Sequence, residues 1–84
     1  MARIIKTDGE EKTVEPMNGS DFGLSEMQKI VGGYIEIVHL ENGELMVVNE
    51  EGMLKNLPVN IKATCIAYQP IVGNVLVCDS NQIK

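Results

Sequence analysis

The chain is poor in aromatic and basic residues. Its 84 residues include two tyrosines, one phenylalanine and no tryptophan, although 44% are hydrophobic. The core must therefore be built from isoleucine, valine, leucine and methionine side chains. Seven lysines and arginines stand against 12 aspartates and glutamates, which gives a net charge of −5. Binding to a nucleic-acid backbone needs clustered positive charge, so this balance argues against it and suits a basic protein partner instead.

Cysteine, histidine and long apolar runs are also scarce. Cys65 and Cys78 form no Cys-x-x-Cys motif, and we expect both to be reduced and buried. His39 is the only histidine, and neither a nucleophile motif nor metal-ligand spacing accompanies it. We therefore expect no enzymatic activity and no metal or other cofactor. No apolar run approaches the roughly 20 residues of a membrane helix, and the N-terminus lacks an apolar signal region, so we expect a cytoplasmic protein that does not contact a membrane.

The pattern along the chain predicts a single domain, residues 1–84, of the α+β class. Apolar spacing, with Gly23 and Glu26 at its start, predicts a first short helix that ends at Gly32. A second short helix is predicted over residues 58–68. Strands are predicted at 2–7, 11–16, 34–40, 44–49 and 71–79, with a short one around 53–54. The expected fold is a small antiparallel sheet of about five strands with two short helices.

The segment 34–49 carries the strongest local signal. Its Asn-Gly pair at 42–43 favours a two-residue hairpin turn, which would pair Leu40 with Leu45. Both faces of the hairpin are apolar, whereas a small antiparallel sheet usually exposes one face to water. We therefore expect the second face to be covered by another copy of the chain in a homo-oligomer, or by closure of the sheet into a small barrel.

Two polar features suggest a ligand site. Gly32 and Gly33 can form a simple corner after the first helix, or they can lie against a ligand, although no phosphate-loop motif is present. Asn60 and Lys62 interrupt an apolar stretch, and they are either a helix cap and a solvated lysine or a pair of ligand contacts. In the ligand interpretation an anionic molecule binds between subunits, and Tyr34 stacks on a base. The predicted ligand-binding residues are Gly32, Gly33, Tyr34, Asn60 and Lys62.

Residues 30–54 include five glutamates and neither lysine nor arginine. This acidic stretch can be a solvated edge that discourages association between sheets. It can also be a surface that binds a basic host protein. In that second interpretation the protein-binding residues are Glu41, Glu44, Glu50 and Glu51.

Four motifs together resemble a known family. They are Val-Gly-Gly-Tyr-Ile-Glu at 31–36, Asn-Glu-Glu-Gly at 49–52, Leu-Pro-x-Asn-x-x-Ala at 57–63 and Ile-Val-Gly at 71–73. Over roughly residues 24–78 the chain is similar to the domain of unknown function 3846 family, which is typical of bacteriophages, mobile elements and the bacteria that carry them. Family members often have arginine near the position of Lys62, and lysine keeps the charge without the bidentate geometry.

The resemblance implies a small phage-type accessory protein that acts by binding. Our first hypothesis is a non-enzymatic, oligomeric protein that sequesters a small anionic or nucleotide-derived ligand, such as an immune signal of the host cell. The alternative is an acidic inhibitor or adaptor that acts on a host protein through its glutamate-rich hairpin edge. An enzyme is the least supported hypothesis, because no nucleophile and base can be named.

Overall fold

The computed structural model describes residues 2–83 of the chain. In chain order its elements are β1 (Ala2–Ile5), β2 (Glu11–Val14), α1 (Leu24–Val31), β3 (Ile35–His39), β4 (Glu44–Asn49), α2 (Ile61–Ala67), β5 (Val75–Asp79) and a short 3-10 helix (Ser80–Gln82). The five strands pair in the order β2-β1-β5-β4-β3, and every neighbouring pair is antiparallel. The predicted α+β class, with five strands and two short helices, is confirmed.

The sheet is open, so the small closed barrel considered from the sequence is wrong. β2 and β3 lie at its two edges, and β5, the last and most apolar strand, lies in the middle. Residues 75–78 of β5 are fully buried. The strand predicted around residues 53–54 is also wrong: residues 50–56 form successive turns. Backbone groups around residues 53–54 bond to one another and not to a neighbouring strand. For example, Leu57 N–H donates to the Gly52 carbonyl at 3.0 Å.

The predicted register of the β3–β4 hairpin is wrong by one residue. Leu40 pairs with Glu44, and its N–H donates to the Glu44 carbonyl at 2.9 Å. The connection is therefore a three-residue loop, in which Gly43 adopts a φ of 90°. A slip of one residue moves every side chain of one strand to the opposite face. As a result Val47, and not Met46, lies on the face that carries Ile37.

Each face of the sheet is covered by one of the chain's own helices. On one face, Met27 and Val31 of α1 belong to a core cluster with Val47 and Leu76. On the other face, Ala63 of α2 belongs to a second cluster, built around Met46, Val75 and Val77. The two-sided apolar character of the hairpin is therefore explained within one chain. The homo-oligomer, which was inferred from that character, stays a prediction.

The C-terminal end of the described chain packs beside the start of α1. Phe22 N–H donates to the Gln82 carbonyl at 2.6 Å, and Ile83 packs against the α1 cluster. Cys78 is buried as predicted, but Cys65 is exposed on α2, so its predicted burial is wrong. Among residues 2–83, no helix combines the length and the apolar character needed to cross a bilayer.

Candidate functional site

Asn60 is a structural cap at the start of α2. Its Oδ1 accepts from Ala63 N–H at 3.1 Å, and its Nδ2 donates to the carbonyls of Ile5 and Gly73, both at 2.9 Å. The residue is 0% exposed. Of its two interpretations the cap is the one that this geometry supports, because a ligand could reach the amide only if these bonds opened.

Lys62 lies far from three of the predicted ligand-binding residues, Gly32, Gly33 and Tyr34. Its Nζ is 3.2 Å from Oε2 of Glu11, on β2 at one edge of the sheet. Gly32, Gly33 and Tyr34 immediately precede β3, at the opposite edge. Four strand spacings of about 4.8 Å separate these edges by roughly 19 Å. The fold of one chain therefore does not bring the predicted set together, and a pocket between subunits stays a prediction.

The glycine pair forms a tightly packed corner. Gly32 has a φ of 85° and ends α1, with its N–H bonded to the Gln28 carbonyl at 2.8 Å. At position 33 a Cβ atom would lie 3.0 Å from Nδ2 of Asn49 and 3.1 Å from Nζ of Lys55. The Asn49 amide is held in place because it also donates to the Val31 carbonyl at 3.1 Å. The corner itself therefore accounts for glycine at position 32, and the contact with Asn49 disfavours a larger residue at position 33.

The predicted acidic surface is divided into two groups. Glu41 and Glu44 lie at the hairpin tip, where Glu44 is 3.8 Å from Arg3 and accepts from Asn42 at 2.8 Å. Glu50 and Glu51 follow the other end of β4, six residues later. At about 3.3 Å per residue the two groups are roughly 20 Å apart. They therefore do not form the continuous edge that the sequence suggested.

One of these groups borders a groove that the sequence analysis missed. The groove has a volume of about 290 Å³ and lies on the α2 side of the sheet, beside β3. Its polar rim includes Glu36 and Glu50, and every described residue around it is neutral or acidic. Two apolar side chains on its border are unusually accessible: Met53 is 62% exposed and Leu54 is 83% exposed. We name this feature the acidic groove. Its lining residues are Glu36, Val38, Val48, Asn49, Glu50, Met53, Leu54, Gln69, Pro70, Ile71 and Val72.

Only part of the acidic groove could be found from the sequence. Glu36 lies in the Val-Gly-Gly-Tyr-Ile-Glu motif, where it is the one charged side chain of an apolar strand. A single charged side chain in an apolar strand could have indicated that Glu36 borders a binding surface. The wall formed by residues 69–72 gave no such signal, because it meets β3 only through the tertiary fold.

The free edge of β3 lies next to the acidic groove. Across the hairpin, Leu40 N–H donates to the Glu44 carbonyl and Glu50 N–H donates to the Tyr34 carbonyl, both at 2.9 Å. In an antiparallel pair the residues that bond across the ladder alternate with residues whose backbone groups point away. The N–H and C=O groups of Ile35, Ile37 and His39 are therefore directed away from β4. In the part of the chain that the structure describes, no strand pairs with this edge.

The two edges differ in how they are protected. β2, at the other edge, has the sequence Glu-Lys-Thr-Val, and its first three residues are exposed. Charged side chains on an edge strand discourage association with other strands. β3 has the sequence Ile-Glu-Ile-Val-His and contains a single charged residue, Glu36. The edge of β3 is thus the less protected one.

A second depression, of about 490 Å³, borders α1. Met17 lines it and is 89% exposed. The neighbouring Glu26 is already engaged, since its carboxylate accepts from the backbone N–H groups of Gly23 at 3.2 Å and Met17 at 2.8 Å. This carboxylate holds the start of α1, as the predicted capping residue should.

The titratable groups show one marked perturbation. Burial raises the pKa of the Cys78 thiol to about 11, and the nearby charges of Asp79 and Glu44 act in the same direction. Cys78 is therefore protonated at neutral pH, which makes it a weak nucleophile. Among residues 2–83, no three histidine, cysteine, aspartate or glutamate side chains are grouped so that they could hold a metal ion. Every buried side-chain nitrogen and oxygen in this range has a hydrogen-bond partner.

Comparisons with known proteins give one match. No curated protein and no solved structure matches the chain. One family model does, over residues 1–83, which extends beyond the 24–78 range of the motif resemblance. The chain therefore belongs to the family described as Domain of unknown function (DUF3846).

Proposed function

We propose that this protein is a non-enzymatic binding protein that recognises a basic segment of another protein at the acidic groove. The setting implied by the family resemblance makes a protein in the cytoplasm of a bacterial host the proposed partner. Binding would inhibit that partner or connect it to another component.

The observation that carries the proposal is the composition of the acidic groove. Glu36 and Glu50 supply negative charge, while Met53 and Leu54 supply exposed apolar surface beside it. Exposed apolar surface rimmed by polar groups is typical of protein interaction sites. Complementary charge increases both the rate and the selectivity of association. A basic segment with apolar side chains fits this combination.

The same composition does not favour an anion. The carboxylates of Glu36 and Glu50 would repel a phosphate, and the groove has no lining cation among the described residues. Lys55 is the basic residue beside the glycine corner, and it lies 3.8 Å from the Glu51 carboxylate. For these reasons the protein-binding hypothesis takes precedence over sequestration of an anionic ligand.

Charge reversal combined with affinity capture tests the proposal. The protein is immobilised and exposed to a lysate of its bacterial host, and bound proteins are quantified by mass spectrometry. The wild type is compared with the double variant Glu36→Lys/Glu50→Lys. A matched control, Glu10→Lys/Glu15→Lys, makes the same change in net charge on exposed residues away from the groove.

We expect a partner that the wild type and the control retain and that the groove variant loses. Its binding should weaken as salt is raised from about 0.05 to 0.5 M, because added salt screens exposed charges. A partner retained equally by all three proteins would refute the role of the groove. Circular dichroism of each variant establishes that the sheet is intact.

A further inference from the structure

We infer that the partner segment binds as an added strand on the free edge of β3, antiparallel to it, with an apolar residue two positions before a lysine or arginine. This inference rests on the proposed function and specifies the partner's conformation and its sequence pattern.

The backbone of β3 supplies the first reason. Ile35, Ile37 and His39 direct their N–H and C=O groups away from β4, and among residues 2–83 no strand pairs with these donors and acceptors. An extended peptide can pair with such an edge, and its main chain then provides much of the affinity. The opposite edge, β2, presents charged side chains instead.

The position of the acidic groove supplies the second reason. Side chains alternate along a strand, so Glu36 and Val38 lie on the same face, and both line the groove. In an added antiparallel strand the residues opposite these two would be non-hydrogen-bonded neighbours, whose side chains approach closely. The residue opposite Val38 comes first in the partner and should be apolar. The residue opposite Glu36 comes two positions later and should be basic.

Charge distinguishes a foreign segment from a second copy of the chain. Pairing of β3 with the β3 of another molecule would bring two acidic grooves together, and each chain carries a net charge of −5. Like charges across a sheet are destabilising. A basic partner strand avoids this repulsion and gains attraction to Glu36 and Glu50.

Peptide selection provides the test. Displayed ten-residue random peptides are selected on the wild-type protein, and the enriched sequences are synthesised and titrated. We expect enrichment of apolar-x-basic sequences. N-methylation removes one backbone donor at a time, so methylating alternate residues of the peptide should weaken binding about tenfold or more, and methylating the residues between them should not.

Proline variants test the edge of the protein itself. The N–H of Ile37 points away from β4, so Ile37→Pro removes a donor for the partner while the β3–β4 ladder keeps its bonds. Thr13→Pro is the matched control, because Thr13 occupies the equivalent outward position on β2. We expect Ile37→Pro to lose peptide binding at least tenfold and Thr13→Pro to retain it. Circular dichroism verifies that both variants fold.

The outcomes separate this inference from the proposed function. Peptides that depend on Glu36 and Glu50, but show neither the alternating methylation pattern nor sensitivity to Ile37→Pro, would overturn the added strand and leave the proposed function standing. A failure to enrich any peptide would also overturn it. A concentration-dependent dimer that Ile37→Pro abolishes would overturn it in favour of a second copy at the same edge.

Discussion

Replacing Asn60 by alanine should remove much of the stability of this fold. The substitution deletes three hydrogen bonds: those from Nδ2 to the carbonyls of Ile5 and Gly73, and the one that Oδ1 accepts from Ala63 N–H. Asn60 and Ala63 are both 0% exposed, so water cannot replace the lost partners without opening the structure. At about 1–2 kcal/mol for each buried bond, the free energy of unfolding should fall by about 3–6 kcal/mol.

That loss is large relative to the total. A domain of 84 residues has a free energy of unfolding of roughly 4–13 kcal/mol. We therefore expect Asn60→Ala to be strongly destabilised or unfolded at room temperature. Urea titration followed by far-ultraviolet circular dichroism measures the change, because the chain has no tryptophan to report by fluorescence.

Asn18 offers a matched control. It is exposed, and its side chain also forms several bonds, accepting from the N–H groups of Ser20 and Asp21, both at 2.9 Å. Water can replace these bonds, so Asn18→Ala should cost no more than about 1 kcal/mol. Equal effects of the two substitutions would refute the argument that burial makes the Asn60 bonds important.

Three further predictions concern packing and the cysteines. Gly52→Ala would place a Cβ atom 2.6 Å from Cγ2 of Val72, so we expect the free energy of unfolding to fall by about 1–3 kcal/mol. Thermal unfolding measures this change, and an unchanged melting temperature would contradict the contact. A thiol reagent should modify exposed Cys65 in the native protein and buried Cys78 only after unfolding, and rapid reaction of both would contradict the burial. The pKa of Cys78 rises from 9.0 to about 11 on folding, so the unfolded chain binds fewer protons between these values. Stability should therefore decrease by about 2 kcal/mol from pH 9 to 11, and a Cys78→Ala variant with an equally steep decrease would contradict this.

Local features were predictable because they depend on neighbours in the chain. Gly32 ends α1, and Glu26 accepts from the N–H of Gly23 at its start, as the sequence indicated. The cap formed by Asn60 was one of its two proposed roles. Its bonds to Ile5, 55 residues away, and Gly73 could not be foreseen, because they exist only once β1 and β5 are paired.

The hairpin register shows why the remaining details were not predictable. An Asn-Gly pair suits a two-residue turn and also a three-residue loop that ends in a left-handed glycine. The choice between them is made outside the hairpin, where β4 pairs with β5 and places Met46 opposite Val77 and Val47 opposite Leu76. The predicted ligand site failed for the same reason. Lys62 and Tyr34 are separated because β2 and β3 lie at opposite edges of the sheet, and this strand order is set by the tertiary fold.

The sequence by itself determined the class of fold, the presence of two helices, both ends of α1, a mainly aliphatic core and the family. The start of α2 was predicted wrongly, since the helix begins at Ile61 and not at residue 58. These follow from periodicity, capping and composition, which act over a few residues or over the chain as a whole. Only the tertiary structure decided which helix covers which face, which register β4 adopts, and that Glu36, Glu50 and residues 69–72 surround one groove beside a free edge. These features depend on burying both faces of one sheet at once. Segments that are distant in sequence must fit together to do so, and no short stretch of sequence contains that information.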